Sequence, residues 1–213
     1  MGRTIAELAG RDPQLAISSE IDVGESIDAG IKSCDVAIDF SAADAAPDIC
    51  SLAVGAKRPL VIGTTGHSAD QRKAIESAAA VIPIVFASNF SIGVNVLFWL
   101  TGKATSLLGE NFSPEIVETH HVMKKDAPSG TAKTLGEIIK SERGGTDIPI
   151  QSIREGEVVG EHTVTFSGPG ERLELTHRAA SRETFASGAL AAAKWVIGKS
   201  PGLYSMQDVL GLV

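Results

Sequence analysis

The chain has 213 residues, of which 43% are hydrophobic and 22 are glycine, and its formal net charge is −7 at pH 7. That length allows one large domain or two small ones, and the composition fits a soluble α/β protein. The negative balance excludes a general nucleic-acid binder. Two cysteines, Cys34 and Cys50, are too few for a disulfide framework and point to a reducing compartment. No apolar run reaches the length of a membrane span; the longest, residues 92–100, is interrupted by Gly93 and Asn95. With no signal-peptide pattern at the start, a cytoplasmic location is expected.

Residues 2–10 read as a short helix with Ile5, Leu8 and Ala9 on one face. Residues 14–21 are expected to form a strand, closed by Asp22 and a turn at Gly24. The apolar run 35–40 suits a buried parallel strand, and a helix is predicted after it over about 44–55, with Pro47 tolerated in its first turn. Residues 59–62 form a second buried strand ending in Gly63-Thr64-Thr65-Gly66. Ser68 starts a helix to about Ala80, and residues 82–86 form a third strand ending in Ala87-Ser88-Asn89-Phe90. This alternation predicts a doubly wound parallel sheet, in which ligands bind beyond the carboxyl ends of the strands. Three predicted strand ends carry suitable groups. Asp22 can accept from ribose hydroxyls, Gly63-Thr64-Thr65 allows close backbone approach, and Ser88-Asn89 supplies polar groups. Each alone is equally explained as a turn or a cap; their recurrence on successive strands gives them weight. A dinucleotide fold opens with a strand and a Gly-x-Gly-x-x-Gly type turn. This sequence opens on Met1-Gly2-Arg3, already at the helix, so the expected sheet lacks its first strand.

After Phe90 the pattern changes. Residues 92–108 read as a long helix, 113–121 as a strand and 132–140 as a helix. Gly144-Gly145 is a break. Three further strands are predicted over 150–155, 157–167 and 172–178, read as antiparallel with a turn at 168–170. Such an open sheet buries one face and must cover the other, for which a sister subunit is the expected solution. His162 and His177 lie in these strands and read as structural or interface residues. An apolar helix over 182–198 and a short one over 206–210 return the chain to the first domain. The expected domains are thus 1–91 with 182–213, and 92–181.

The densest chemistry lies in residues 118–131, Glu-Thr-His-His-Val-Met-Lys-Lys-Asp-Ala-Pro-Ser-Gly-Thr. It brings together two imidazoles, His120 and His121, two ammonium groups, Lys124 and Lys125, and Ser129 as N-cap of a helix whose first residues are Gly130 and Thr131. N–H groups at a helix start, with the dipole behind them, favour a carboxylate or phosphate. Proton donors, positive charge and an anion seat together suit an acidic small molecule that must be protonated during reaction. Adjacent residues of a strand face opposite sides, so one histidine can equally serve packing alone, and a lysine pair is commonly a solvated surface. No metal site is expected, because the segment lacks the i, i+4 histidine pair of the zinc helix motif and no cysteine lies near it.

The motifs Gly-Thr-Thr-Gly at 63–66, Ala-Ser-Asn-Phe-Ser at 87–91 and Glu-x-His-His-x-x-Lys-x-Asp-Ala-Pro-Ser-Gly-Thr-Ala from Glu118 carry a resemblance. So do Arg-x-Gly-x-x-x-Gly-x-His from Arg154 and Arg-x-x-Phe-Ala-x-Gly-Ala from Arg182. Over essentially its whole length the chain resembles the dihydrodipicolinate (4-hydroxy-tetrahydrodipicolinate) reductases of bacterial diaminopimelate and lysine biosynthesis. The resemblance implies a Rossmann-like cofactor domain, a second α+β domain with a mixed or antiparallel sheet that builds a homotetramer, and NADH or NADPH as reductant. It implies His120 as proton donor and Lys124 as a second one, with His121, Gly130 and Thr131 binding a dicarboxylate substrate. Asp22, Gly63, Thr64, Thr65, Ala87, Ser88, Asn89 and Phe90 would line the cofactor, and Arg182 would lie on the nicotinamide side.

The residue chemistry agrees with this. An imidazolium suits protonation near neutral pH, and the nicotinamide would supply the hydride, so no metal is needed. Asp22 would repel a 2′-phosphate and Val23 offers no arginine to hold one, which favours NADH. Of the family's opening Gly-x-x-Gly-Arg-Met-Gly-Arg, only Met1-Gly2-Arg3 matches. The expectation is a start assigned too late, with weaker cofactor binding and a less stable first domain in the chain as written. Two other readings compete. One is another NAD-linked enzyme on a two-domain scaffold, such as an amino-acid dehydrogenase, against which the His-His and Ser-Gly-Thr spacing speaks. The other is a non-catalytic oligomeric or binding protein that has lost its cofactor site, against which His120 and Lys124 speak.

Overall fold

The computed structural model describes residues 1–212. In chain order the elements are α1 (Gly2–Ala9), α2 (Ile27–Ser33), β1 (Ala37–Asp39), α3 (Ala46–Ala56), β2 (Leu60–Ile62), α4 (Ala69–Ala79), β3 (Pro83–Phe86), α5 (Ile92–Leu108), β4 (Ser113–His120), α6 (Gly130–Glu142), β5 (Ile150–Arg154), β6 (Gly160–Gly168), β7 (Glu171–Ala179), α7 (Glu183–Val196), β8 (Gly202–Tyr204) and α8 (Met206–Leu210). They fall into two units. The first holds Met1–Ser91 and the chain from Glu183 onward, the second Ile92–Arg182.

In the first unit four strands pair in parallel, in the order β1-β2-β3-β8. Successive side chains of a strand face opposite sides, and each side here has its own core. Leu60, Ile62 and Ile84 pack with Ile31 of α2, Ile49 and Ala53 of α3, and Ile75 and Ala78 of α4. Val61 and Val85 pack with Ile5 and Ala9 of α1, Ala189, Ala193 and Val196 of α7, and Met206 of α8. Burial on both faces is why these strands read as unbroken apolar runs rather than alternating ones. The capping box at the start of α4 is present, with the Ser68 hydroxyl accepting from the Gln71 N–H and the Gln71 side chain accepting from the Ser68 N–H.

Residues 14–21 make no strand: Leu15 packs on the first core, while Ile17 and Ile21 are exposed at 45% and 40%. A strand needs a neighbour for its backbone groups, and among the described residues no strand pairs with β1 on the side away from β2. Asp22 therefore follows an extended segment and not a strand. The chain does approach α2 closely, since Ile21 and Ser19 occupy the space a side chain at Gly30 would need. Helix α2 and strand β8 were not expected; the first has a Ser26 cap with Asp28 in its first turn, and the second has only three residues.

In the second unit the strand order is β5-β4-β6-β7. Strands β6 and β7 are antiparallel to their neighbours, but β5 runs parallel to β4, which corrects the all-antiparallel reading of these three strands. The reason lies in the connection, because α6 carries the chain back across the sheet and permits a parallel return. Helices α5 and α6 cover one face, where Ile116, Val164 and Phe166 pack on Leu97, Phe98, Leu135 and Ile139. The opposite face carries Val117, Thr163 and Thr176 in register across β4, β6 and β7. Among the described residues no helix is long and apolar enough to cross a membrane.

Candidate active site

Strand β4 is central in its sheet, so residues on its helix-covered face are buried between two neighbours. The period of two that buries Ile116 also buries Glu118 and His120, at 0% and 8% exposure. Register then chooses their company. Glu118 lies between Ser152 of β5 and His162 of β6, and Arg154 lies opposite His120.

A buried carboxylate is costly unless every lone pair is answered. Glu118 is fully answered. The Arg154 guanidinium forks onto it, Nη2 donating to Oε1 at 2.8 Å and Nη1 to Oε2 at 3.1 Å. The Ser129 N–H donates to Oε1 at 3.2 Å, and the ring nitrogen Nδ1 of His120 meets Oε2. Burial pushes the Glu118 carboxyl up, but Arg154, with hydrogen bonds from Ser152 and His120, outweighs it and holds the group down at about 2. His120 is pushed below its ordinary value by burial, partly opposed by Glu118. His162 is driven down to about 4, by burial first and by the proximity of His120 second. The two rings stand edge to face with centroids 5.1 Å apart.

The segment after β4 is tied to this cluster. Arg154 Nη2 donates to the Asp126 carbonyl at 2.7 Å, and Lys124 pairs with the Asp126 carboxylate at 2.8 Å. That pairing lowers the Asp126 carboxyl. Ser129 caps α6 as expected, its Oγ accepting from the Ala132 N–H at 3.2 Å, and the same oxygen lies 3.1 Å from His162 Nε2. Gly130 is exposed and Thr131 half-buried in the first turn of α6, where backbone N–H groups and the helix dipole favour an anion. His121 lies just past the end of β4, its N–H donating to the Val158 carbonyl at 2.7 Å. Thus His120, His121, Lys124, Gly130 and Thr131 share one unit and one continuous stretch. Arg182 is exposed at the end of that unit.

The sequence reading missed Glu118, Arg154 and Gly160 as site residues and took His162 as structural or interface. The position of Glu118, two before His120, signals a shared strand face. The partnership of Arg154 and His162 with it comes from sheet register, which no local pattern encodes. One ligand-type atom each of Glu118, His120 and His162 lies within 4.8 Å of the others. The guanidinium already seated on Glu118 opposes a cation there.

The residues expected to line a cofactor all belong to the first unit. Thr64 and Phe90 are buried and hold the strand-end loops. Thr64 Oγ1 donates to Asp39 at 3.0 Å, the Gly63 N–H donates to the Asp39 carbonyl at 2.9 Å, and the Phe40 and Phe90 rings meet with centroids 5.5 Å apart. Gly63 is glycine because Phe40 fills the place of its side chain. Ala87 donates its N–H to the Ile62 carbonyl at 3.2 Å, and Asn89 accepts from the Ser91 N–H at 2.8 Å. Thr65 and Ser88 are exposed at the strand ends. Asp22 is exposed in its turn, accepting from the Val23 N–H at 2.8 Å. Nearby in sequence, His67 is buried with neither ring nitrogen partnered among the described residues. The exposed hydroxyls of Thr65 and Ser88 at the carboxyl ends of parallel strands fit the sugar and amide groups of a nicotinamide dinucleotide. Asp39, which braces the Gly63-Thr64 loop, was not anticipated from the sequence.

Comparison with known proteins places this geometry in context. Residues 1–90 match the family description "Dihydrodipicolinate reductase, N-terminus", and residues 93–210 match "Dihydrodipicolinate reductase, C-terminus". The 4-hydroxy-tetrahydrodipicolinate reductase of Akkermansia muciniphila is 48% identical over an alignment that covers 100% of this chain and 94% of that protein. The protein of the same name from Syntrophus aciditrophicus is 44% identical, covering 99% of this chain and 84% of that one. The dipicolinate-bound dihydrodipicolinate reductase from Paenisporosarcina sp. TG-14 shares the fold with a TM-score of 0.83 at 22% identity, covering 98% of this chain and 94% of that one.

Proposed function

The chain belongs to the dihydrodipicolinate reductase family, and from that premise we propose that it reduces 4-hydroxy-tetrahydrodipicolinate to tetrahydrodipicolinate in the diaminopimelate and lysine pathway, with NADH or NADPH as reductant. The observation that carries the site assignment is the grouping on one unit of a buried imidazole held by a carboxylate, a lysine and a helix N-terminus. When bound, the reduced nicotinamide supplies the hydride. Thr65, Ser88, Asn89 and the loops braced by Asp39 and Phe90 hold that cofactor. The first turn of α6 at Gly130-Thr131, with His121 and Lys124, holds the substrate carboxylates. The 4-hydroxyl leaves as water to give the conjugated cyclic imine that accepts the hydride; His120 then gives its proton to the electron-rich carbon left by hydride addition, and Lys124 is the second donor.

In the free protein His120 is held below its ordinary pKa by burial first and by the nearby Lys124 and Arg154 cations second, against the pull of Glu118. A dicarboxylate beside it favours the charged imidazolium, so substrate binding loads the proton that the reaction consumes. The falling limb of kcat is therefore expected at higher pH than that of kcat/KM, which reports the free enzyme. Coincident limbs would contradict substrate-induced loading.

The exposed carboxylate of Asp22 supports a preference for NADH, since a 2′-phosphate near it meets like charge. A homotetramer built on the outer face of the second sheet and a cytoplasmic location complete the reading. The decisive assay follows oxidation of NADH and of NADPH with the unstable substrate formed in place by a coupled synthase. Turnover is expected, with His120→Gln losing about 10²–10⁴-fold in kcat. No oxidation of either nucleotide by the folded protein would overturn the proposal.

A further inference from the structure

We propose that Glu118 and Arg154 are positioning residues for proton delivery: Glu118 holds His120 by Nδ1 so that Nε2 exchanges the proton, and Arg154 balances that carboxylate while tying it to the loop that bears Lys124. This rests on the reductase reading of the site and adds to it two residues that touch no substrate. An imidazole used as an acid has two nitrogens, and its direction is set by whichever one is engaged. Here Nδ1 is engaged by a carboxylate that cannot move, because Arg154 and the Ser129 N–H occupy its other acceptor positions. On the other side of the ring the backbone leaves room. A Cβ at Gly160, a buried glycine of β6, would lie 3.1 Å from Nε2, so the missing side chain keeps that nitrogen open. In the proton step the Nε2–H bond breaks and its electron pair stays on the ring. The π pair of the electron-rich carbon forms the new C–H bond, and His120 is left neutral against Glu118.

Arg154 decides how tightly the proton is held. A carboxylate paired with His120 alone would strongly favour the imidazolium, and a general acid must also release its proton. Sharing that carboxylate with a permanent cation weakens the hold. The charged and titratable groups facing His120 are Glu118 on its own strand, Arg154 on β5, His162 on β6, and Lys124, itself paired to Asp126, on the following loop. His177 on β7 acts on His162 behind it. Removing Glu118 and removing Arg154 therefore push His120 in opposite directions. A purely architectural role for the pair would give damage of one sign.

The test is an NMR titration of the histidine rings in the full chain, with the His120 signals assigned from His120→Gln, alongside kcat and KM. In Glu118→Gln the His120 ring is expected to titrate at lower pH than in the unaltered protein. Its kcat should fall about ten- to a hundredfold with KM little changed, a share of the ~10²–10⁴ that a general acid supplies. In Arg154→Met the ring is expected to titrate at higher pH, and Arg154→Lys, which restores the charge, should return it most of the way. If Glu118→Gln does not fold, Arg154→Met decides alone. Movement of His120 upward supports the proposal; no movement, or movement downward, overturns it. Titrations of both variants shifting the same way would overturn it too. Because the titration needs no turnover, failure of the reductase reading is seen separately, as absence of nucleotide oxidation by the unaltered protein.

Discussion

The buried histidine to which the proposed proton step gives no role carries a measurable cost. His162 is 4% exposed and its folded-state pKa is about 4, against an ordinary value of 6.5. Between those values the unfolded chain binds a proton that the folded chain refuses. The stability this represents is full above pH 6.5 and is lost as pH falls towards about 4. A displacement of that size corresponds to on the order of 3 kcal/mol, shared with the coupled His120, which is lowered in the same sense. Glu118, held at about 2 against 4.5, loses its contribution only at lower pH, as the carboxylate is protonated. Urea unfolding followed from pH 7 to 4 should show a falling midpoint, and His162→Gln should remove most of the fall. An unchanged pH dependence in that variant would assign the acid sensitivity to other groups.

At the level of elements, the same physics explains what the sequence reveals and what it hides. Strands β2 and β3 are legible because both faces are buried, which leaves an apolar run that no polar position interrupts. Helix α5 is legible end to end, and α6 announces itself through Ser129. Residues 14–21 carry a strand-like alternation but have no pairing partner, and pairing is a non-local property that alternation does not report. Strand β8 is three residues long and pairs with β3 through a contact more than a hundred positions away in the chain. The site divides likewise: His120, Lys124 and Ser129 are neighbours in sequence, whereas Arg154 and His162 are brought in by register alone. Gly188 shows an element constraint of another sort. It lies in α7 where a Cβ would run into the Phe90 carbonyl, at the strand-end turn assigned to the cofactor. Gly188→Ala is expected to cost about 1–3 kcal/mol as overpacking and to weaken nucleotide binding, because the backbone that must yield is Phe90 itself. Calorimetric melting and a fluorescence titration with NADH check this; a variant with unchanged melting temperature and affinity would show that the turn yields freely.

For the whole molecule, the question is what the outer face of the second sheet is for. Helices α5 and α6 pack on the other face, through Ile116, Val164 and Phe166. The outer face has a neutral centre, where Val117, Thr163 and Thr176 align across three strands and the two threonine hydroxyls lie 2.9 Å apart. Its ion pairs lie further along the strands, Arg172 with Glu115 at 3.0 Å and Arg178 with Glu161 at 2.8 Å. The proposed interface would centre on this neutral row, with the charged rows on either side of it pairing within the sheet. In a symmetric assembly the same patch meets itself or its equivalent, so a charge placed at its centre is presented by every copy at once. Thr163→Glu is therefore expected to dissociate the proposed tetramer while leaving each chain folded. The buried side of β6 is untouched, since position 163 points away from Val164 and His162. Light scattering should show the mass falling from four chains to fewer, with an unchanged far-ultraviolet circular dichroism spectrum. A variant that stays at four chains would move the interface elsewhere, and an unaltered protein that runs as a single chain would leave this face without the partner assigned to it.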